Sequence, residues 1–411
     1  MLCFSTMLFF VLIVSSVLFF RGFTVLRCVF VIAKFSAAQE ELNNYKLLQE
    51  RRMKKTLLAV AIPTLLLANS AMAVEIIKTE DGTVDFYGQL RTEVKKLEDK
   101  DVTLNAGSSR TGVDARYKLT DTTDVFGKVE FGLNYKADGS DYSMNNRLHY
   151  IGIDSEFGKI SFGRQWVVSD DVYGADYSYF FGGTALRYST LSGARHDSLI
   201  KYNFDGEDFW VAANYGLSED DSNQELAELY VGTSVGRFNL HAGGGQNRDK
   251  SHKIGTETVT PEASLPEFTQ ENTITADIEN IYFEGTVEYT VGAALIGFTY
   301  YNAELSDKNS NLSIDENGYS LAGTYSWADN ATAYAGYEYT EQSADSVEDQ
   351  DGTLVYVGSD YNVNSWFRVY AEYGYGDGTT LGYSNKGSDS FIGLTEVDSE
   401  SSFALGARVY W

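Results

Sequence analysis

Few residues of this chain have the types and spacing that catalysis or metal binding requires. Both cysteines, Cys3 and Cys28, lie in the first 73 residues, so the remainder cannot use a disulfide, a thiolate nucleophile or a cysteine-ligated zinc ion. The four histidines show no H-x-x-x-H spacing, which a zinc site on one helix needs. Residues 232–236 read G-x-S-x-G, but at a turn between predicted strands, not at the strand-to-helix elbow that presents a nucleophilic serine. We therefore expect no enzymatic activity, no metal site and no cofactor.

The segment at residues 168–194 is the best candidate for a functional element. It combines many rings with several carboxylates: Tyr173, Tyr177, Tyr179, Phe180, Phe181, Asp170, Asp171 and Asp176. Exposing so many rings to water is unfavourable, and long loops in compact domains are usually functional. We expect the segment to fold into the interior of the molecule, where its acids would face an open space. The alternative is an external loop whose rings contact a neighbouring molecule.

The elements that must position this segment are β-strands. From Val84 onward, residues alternate with a period of two in segments of about ten, which is typical of tilted membrane-spanning strands. In the last segment Phe403 and Leu405 share one face, whereas Ala404 and Arg408 share the other. One face is apolar and the other mixes charged, small and tyrosine residues, as expected for lipid outside a barrel and water inside it.

Turn lengths support a transmembrane antiparallel barrel of about sixteen strands. Short turns at 121–124, 157–158, 205–208, 236, 291–293, 328–330 and 364 alternate with long polar segments at 98–107, 137–144, 168–194, 219–223, 247–275, 305–315, 342–352 and 376–399. Short turns on one side and long loops on the other are the pattern of outer-membrane barrels. At this strand number the lumen can hold an aqueous channel. The segment 168–194 would then fold into that lumen.

The charge composition differs between an N-terminal leader, residues 1–73, and the rest of the chain. Residues 74–411 have a net charge of −31, which opposes contact with nucleic acid. Residues 53–73 read as a signal peptide, with Met53 followed by two lysines, a short apolar stretch and a small-x-small site that ends at Ala73. We interpret residues 1–52 as an upstream in-frame extension, with an N-terminal membrane anchor as the alternative, and residues 74–411 as the barrel.

The chain resembles the general porins of Gram-negative outer membranes, of the OmpC, OmpF and OmpU kind. Residues 84–88 (VDFYG) are similar to their first strand, and residues 157–165 (FGKISFGRQ) to the strand before their constriction loop. Residues 181–183 (FGG) resemble the tip of that loop, and Trp411 stands where the family ends in an aromatic residue read by the assembly machinery. The resemblance implies a homotrimer of sixteen-stranded barrels in the cell outer membrane, each with its own pore.

The resemblance also implies a row of wall arginines that faces loop carboxylates. Arg110, Arg147 and Arg195 match the basic row, and the alternation independently places them inward, opposite Val113, Leu148 with Tyr150, and Ile200 with Tyr202. Asp176 matches a loop acid, with Asp170 or Asp171 beside it. Two residues depart from the pattern: Phe180 replaces an expected acid, and Gln89 replaces a lysine. Further pore-lining candidates are Arg91, Arg187 and Lys201.

We expect an outer-membrane channel for passive diffusion of ions and small hydrophilic solutes, with mild cation preference that shrinks in strong salt. A solute-specific channel and an outer-membrane hydrolase are the alternatives. We expect Asp176→Lys to shift selectivity toward anions with little effect on stability, because that carboxylate would face water. Arg164 should point away from the lumen, where an acid of a neighbouring subunit could pair with it. Lipopolysaccharide and outer-membrane lipid are the remaining expected partners.

Overall fold

The alternating segments form antiparallel strands in the computed structural model. It describes residues 73–135, 142–183, 185, 191, 193–218, 225–259, 270–310, 312–344, 348–380 and 395–411. The strands are β1 (Val74–Lys78), β2 (Gly82–Lys96), β3 (Thr103–Asn105), β4 (Arg110–Thr120), β5 (Thr123–Tyr135), β6 (Tyr142–Ser155), β7 (Gly158–Trp166), β8 (Arg195–Asp205), β9 (Trp210–Gly216), β10 (Glu225–Val235), β11 (Phe238–Val259), β12 (Gln270–Val291), β13 (Ala294–Asp307), β14 (Ser313–Ala328), β15 (Ala331–Ala344), β16 (Gln350–Asn364), β17 (Phe367–Thr380) and β18 (Thr395–Tyr410). A short helix, α1 (Val168–Val172), follows β7. Within these ranges, no helix has the length and apolar character needed to cross a membrane.

The strands close into a barrel because the last one pairs with the second. Strand β18 pairs with β2 from Phe403 opposite Lys96 to Tyr410 opposite Gln89, and β1 continues along the same edge of β2. Between them, Trp411 exchanges two backbone hydrogen bonds with Gly88 (2.9 and 3.2 Å). Strands β3 and β4 likewise share the other edge of β2. The eighteen described strands therefore occupy sixteen positions, which confirms the predicted fold class.

The two faces of the barrel follow the predicted alternation. On β18, Phe403 and Leu405 are about half exposed on the outside, whereas Ala404 and Arg408 are buried on the inside. The inner face is covered because residues after β7 pack on it, as described below. Apolar side chains therefore meet the surroundings of the barrel, and polar ones line its lumen.

A β-bulge on β6 corrects one part of the expected alternation. Glu130 of β5 pairs with Leu148, but the next residue, Phe131, pairs with Asn146, which leaves Arg147 unpaired. The expectation that Leu148 and Tyr150 face outward was wrong, because cross-strand partners share a face and Glu130 faces the lumen. Arg147 nevertheless points inward, since a bulge places an extra residue on one strand and redirects its side chain.

Strands β11 and β12 extend far beyond the predicted strand ends. Each has 22 residues, about twice the number that a tilted strand needs to cross a bilayer. Much of the segment 247–275, predicted as a loop, is therefore paired backbone. Polar residues there continue the ladder because pairing uses main-chain groups, which are the same in every residue.

Candidate functional site

The segment after β7 lies inside the barrel, as predicted, and follows the inner wall from β10 to β17. The backbone N–H of Ala175 donates to the hydroxyl of Thr299 on β13 (2.7 Å), and Ser320 on β14 donates to the carbonyl of Ala175 (2.6 Å). Farther along, the N–H of Tyr177 donates to the hydroxyl of Tyr356 on β16 (3.0 Å). We call residues 167–185, where described, the inner loop.

Glu228 on β10 anchors the start of the inner loop. Its carboxylate accepts the N–H groups of Val168 (2.7 Å) and Ser169 (3.2 Å), the first residues of α1, and the hydroxyl of Ser169 (2.7 Å). Asn214 of β9 also donates to it (2.6 Å). A carboxylate is well suited to this place because the first N–H groups of a helix have no acceptor within the helix.

Glu372 on β17 and Glu338 on β15 anchor the tip of the inner loop. Glu372 accepts the N–H groups of Tyr179 and Phe181 (both 2.7 Å). Glu338 accepts those of Gly183 (2.7 Å) and Ala185 (3.0 Å). Both carboxylates are almost fully buried, and hydrogen bonds from several backbone N–H groups compensate the loss of hydration of a buried anion. No local pattern identifies these glutamates, because the loop residues that they bind are remote in sequence.

Aromatic packing supplements these hydrogen bonds at the tip. The rings of Tyr179 and Tyr370 stack at 4.5 Å, and Phe180 lies 5.3 Å from the same Tyr370 ring. Phe181 rests on Gly374 of β17, where an added Cβ would come within 2.7 Å of ring atoms. Burial of these rings explains why the segment folds inward.

Tyrosine hydroxyls of the inner loop stay protonated. Burial and the adjacent Glu288 carboxylate, which accepts the Tyr177 hydroxyl at 2.7 Å, raise the pKa of Tyr177 well above its ordinary value. Burial raises the pKa of Tyr179 to about 12. These contacts of the loop therefore persist across the physiological pH range.

The predicted loop acids are less available to solutes than expected. Asp176 is only 6% exposed and accepts the N–H of Ser178 (2.9 Å), so the expectation that it faces water was wrong. Asp171 forms an ion pair with Lys201 of β8. Asp170 is half-buried in α1. Neither Asp171 nor Asp176 is an isolated charge in the lumen.

Arg110 and Arg147, two of the predicted wall arginines, share one carboxylate. Arg147 binds Glu130 at 2.8 Å, and Arg110 approaches the same group at 3.5 Å. Arg195 lies with its guanidinium 4.5 Å from the centre of the Trp166 ring, and Arg147 lies 5.3 Å from that ring. Structure and alternation therefore bring all three arginines to one side of the lumen.

Two of the three further pore-lining candidates, Lys201 and Arg91, lie in described strands. Lys201 donates to the carbonyl of Trp166 (2.9 Å) in addition to its pair with Asp171. Arg91 lies beside Arg110 and Arg408. Arg187 lies outside the described residues.

Two arginines near the loop tip were not singled out from the sequence. Arg408 of β18 lies over the rings of Tyr179 (5.4 Å) and Tyr370 (5.3 Å). Arg368 of β17 donates to the hydroxyl of Tyr179 and to Asn362 (2.7 Å). The alternation in the last strand placed Arg408 on the polar face, but it could not show that either arginine lies near the loop tip.

Arg164 lies on the outer face, as expected, but its partner is within the chain. Its guanidinium pairs with Asp197 of β8 and donates to the carbonyl of Asn146 (3.1 Å). A second subunit is therefore not required to compensate this charge.

The G-x-S-x-G motif and the acidic turn after β13 have ordinary structural contacts. The hydroxyl of Ser234 donates to Asn239 (2.8 Å). Asp307 accepts the hydroxyl of Ser310 (2.6 Å) and the N–H of Asn309 (3.0 Å), which closes a turn. In the described parts of the chain, no group of histidine, cysteine or acidic residues is arranged to hold a metal ion.

Charged side chains of both signs line the lumen. Arginines lie on β2, β4, β6, β8 and β18, and Glu130 and Glu93 lie among them. The carboxylates of β10, β15 and β17 are buried behind the inner loop, whose N–H groups they accept.

Comparisons with known proteins agree with this architecture. A family model described as "Gram-negative porin" matches residues 56–345. "Porin-like protein H" of Photobacterium profundum is 26% identical over 340 residues, which cover 79% of this chain and 95% of that protein. "Outer membrane protein Omp-EA" of Erwinia amylovora is 27% identical, with 70% of this chain and 73% of that protein covered.

Solved structures give the same result. OmpT, an outer membrane protein of Vibrio cholerae, is 58% identical with a TM-score of 0.74, and 82% of this chain and 100% of that chain are covered. Its trimer form is 59% identical with a TM-score of 0.73, at 81% and 100% coverage. An anion-selective porin from Comamonas acidovorans shares the fold (TM-score 0.64) at 15% identity, with 80% and 100% covered.

Proposed function

Because the chain belongs to the Gram-negative porin family and forms an outer-membrane porin channel, we propose that ions and small hydrophilic solutes cross it by passive diffusion, with a mild preference for cations. The observation that carries the proposal is the inner loop, which is held against the lumen wall by Glu228, Glu338 and Glu372. A fixed obstruction inside a closed barrel limits the size of passing solutes without needing a conformational cycle.

Net charge supports the cation preference. Residues 74–411 carry −31, and an entrance lined by one sign of charge concentrates counter-ions. At the constriction, in contrast, Asp171 is paired and Asp176 is buried, whereas several arginines line the wall. The preference should therefore come mainly from charges outside the constriction, which salt screens within about 10 Å at 0.1 M and about 3 Å at 1 M.

Recording in planar bilayers under a KCl gradient tests this proposal. In dilute salt, near 0.1 M, we expect a reversal potential of the sign that cation preference produces. In concentrated salt, near 1 M, this potential should fall toward zero because the outer charges are screened. An anion-selective channel in dilute salt would contradict the proposed preference, and the lack of any conductance would contradict the channel itself.

The alternatives receive less support. A hydrolase at residues 232–236 would need a histidine at Ser234, whose hydroxyl instead donates to Asn239. A solute-specific channel would need a dedicated binding site in the lumen. The proposed general channel requires neither a catalytic histidine nor a dedicated binding site, and a single binding subsite in the lumen is compatible with it.

We further propose a homotrimer that lies among lipopolysaccharide and outer-membrane lipid and is recognised by the assembly machinery through Trp411. A trimer form of the similar OmpT supports the oligomer. The exposed apolar outer face, which includes Ile151 and Phe162, gives lipid and neighbouring subunits a surface to bury.

A further inference from the structure

Two arginines face each other at the seam where the barrel closes. Arg91 of β2 and Arg408 of β18 are direct cross-strand partners. Both lie on the lumen side, since Arg91 has the parity of the buried Gln89 and Glu93, and Arg408 that of Ala404. Like charges in directly opposed positions are unfavourable unless something compensates them.

Two carboxylates near this pair are engaged elsewhere, and a third, Asp360, interacts with Arg368 and Arg408 only from more than 4.0 Å. Glu130 is shared by Arg110 and Arg147. Glu93 pairs with Lys95 (3.2 Å) and accepts the hydroxyl of Tyr370 (3.3 Å). Among the described residues, neither Arg91 nor Arg408 has a carboxylate within 4.0 Å, whereas Arg110 adds a third positive charge beside Arg91.

Most N–H groups of this pair have no protein acceptor. Within the described ranges, Arg408 donates to the hydroxyl of Tyr410 (3.2 Å) and also interacts with the Tyr370 hydroxyl, whereas the side chain of Arg91 makes no hydrogen bond. The Nε atoms of both are buried without an acceptor. Arg408 is buried on the lumen side, whereas Arg91 is only half-buried, so part of the Arg91 side chain remains exposed to the lumen. A guanidinium presents five donors in a rigid fork that matches the geometry of carboxylate and phosphate.

The inner loop holds Arg408 in place but supplies no anion to it. The guanidinium of Arg408 is packed on the rings of Tyr179 and Tyr370, which fixes its plane. Phe180, where the resemblance to general porins led us to expect an acid, instead lies on Tyr370 and under the Lys95 ammonium at 5.1 Å. A ring thus stands where the resemblance implied a carboxylate.

We propose that Arg91 and Arg408 form a binding subsite for the oxyanion group, a carboxylate or a phosphate, of a solute in the lumen. The subsite lies at the seam of β2 and β18, next to Arg110, and is formed by two residues outside the row of Arg110, Arg147 and Arg195. It goes beyond passive diffusion with mild cation preference, and it rests on that function only in requiring a lumen that solutes enter. Anionic solutes would pause here, while the bulk current is still carried mainly by cations.

Current block by simple oxyanions tests the subsite. Inorganic phosphate and, in a second arm, acetate are added to channels in KCl at matched ionic strength, so that screening stays constant. We expect a saturable reduction of current by at least one of the two anions. Block by phosphate alone would define a phosphate site, and block by both a general oxyanion site. A current that neither anion alters would overturn the proposal, while intact KCl conductance would leave the channel function standing.

Three variants test whether the anions block the current by binding at the seam. Arg91→Gln and Arg408→Gln should each raise the half-blocking concentration about tenfold, because each removes charged hydrogen bonds to the anion. Arg116→Gln is the matched control: this lumen arginine is already bound by Asp124 and Asp154 (both 2.9 Å), and its removal should change the block less than about twofold. Equal effects of all three variants would overturn the subsite in favour of general lumen charge. Should the glutamine variants fail to assemble, Arg91→Lys and Arg408→Lys keep the charge but lose the fork, and unchanged block in both would also overturn it.

Discussion

Asp176 is buried in the inner loop, and this determines which substitution can test its contribution to ion selectivity. Its carboxylate accepts the N–H of Ser178 and lies close to Gly182. A lysine would have to leave this site or bury its ammonium, which is costly. Asp176→Asn removes the charge and keeps an acceptor oxygen for Ser178.

We expect Asp176→Asn to move the reversal potential slightly toward anions and to leave barrel stability nearly unchanged. The shift in reversal potential should be small because the field of this single charge reaches solutes in only part of the lumen. The measurement is the reversal potential near 1 M KCl, where distant charges are screened. Asp121→Asn, on an exposed turn beside Lys118, is the control and should have no effect. Identical potentials for Asp176→Asn and wild type would remove Asp176 from the pore.

At the scale of the element, three wall glutamates, Glu228, Glu338 and Glu372, anchor the inner loop in addition to the packing of its own rings. Glu372 receives N–H groups from three consecutive residues of the tip. A glutamine offers one acceptor oxygen and places an N–H₂ group against backbone donors, which breaks part of this pattern. Each lost hydrogen bond to a buried charged group costs about 1–3 kcal/mol locally.

Glu372→Gln should therefore loosen the loop tip, raise the single-channel conductance and increase current noise. The barrel should still form, since strand pairing does not involve this carboxylate. Glu304→Gln, an exposed position on β13, serves as the control and should behave as wild type. If the Glu372 variant has the same conductance and current noise as the wild type, the side-chain packing of Tyr179, Phe180 and Phe181 alone must hold the tip.

For the whole molecule, we expect trimers that survive mild detergent in unheated samples and separate on heating. Arg164→Ala should leave them intact, because Arg164 is paired with Asp197 of its own chain. Electrophoresis with and without heating measures both. If unheated wild-type samples contain only monomers, the result counts against the trimer. If trimers are lost in Arg164→Ala but not in the wild type, Arg164 contributes to the subunit interface.

The processed protein should begin at Val74. The small-x-small site ending at Ala73 is the physical basis, since a signal peptidase accepts small side chains at these positions. N-terminal sequencing or intact mass of protein from the outer membrane measures the start. Recovery of residues 1–52 in that material would contradict the interpretation of Met53 as the start.

The sequence alone was sufficient to predict the barrel, the number of its strands, the inward loop and the inward direction of Arg110, whereas Arg147 points inward because of a bulge. These properties are local: a period of two assigns faces, turn lengths count strands, and an aromatic-rich loop must find a surface to cover. The same period failed at Leu148 and Tyr150, because a bulge shifts the register and a one-residue shift changes the face.

Only the tertiary structure decided how the charges are paired. Glu372 lies 193 residues from Tyr179 along the chain, and Arg91 meets Arg408 because the barrel closes between them. The ion pair of Arg164 with Asp197 and the burial of Asp176 depend likewise on register and loop path. Whether two charged residues pair depends on a separation of a few ångströms between segments that are remote in sequence. These separations follow from the closure of the sheet and not from any local pattern.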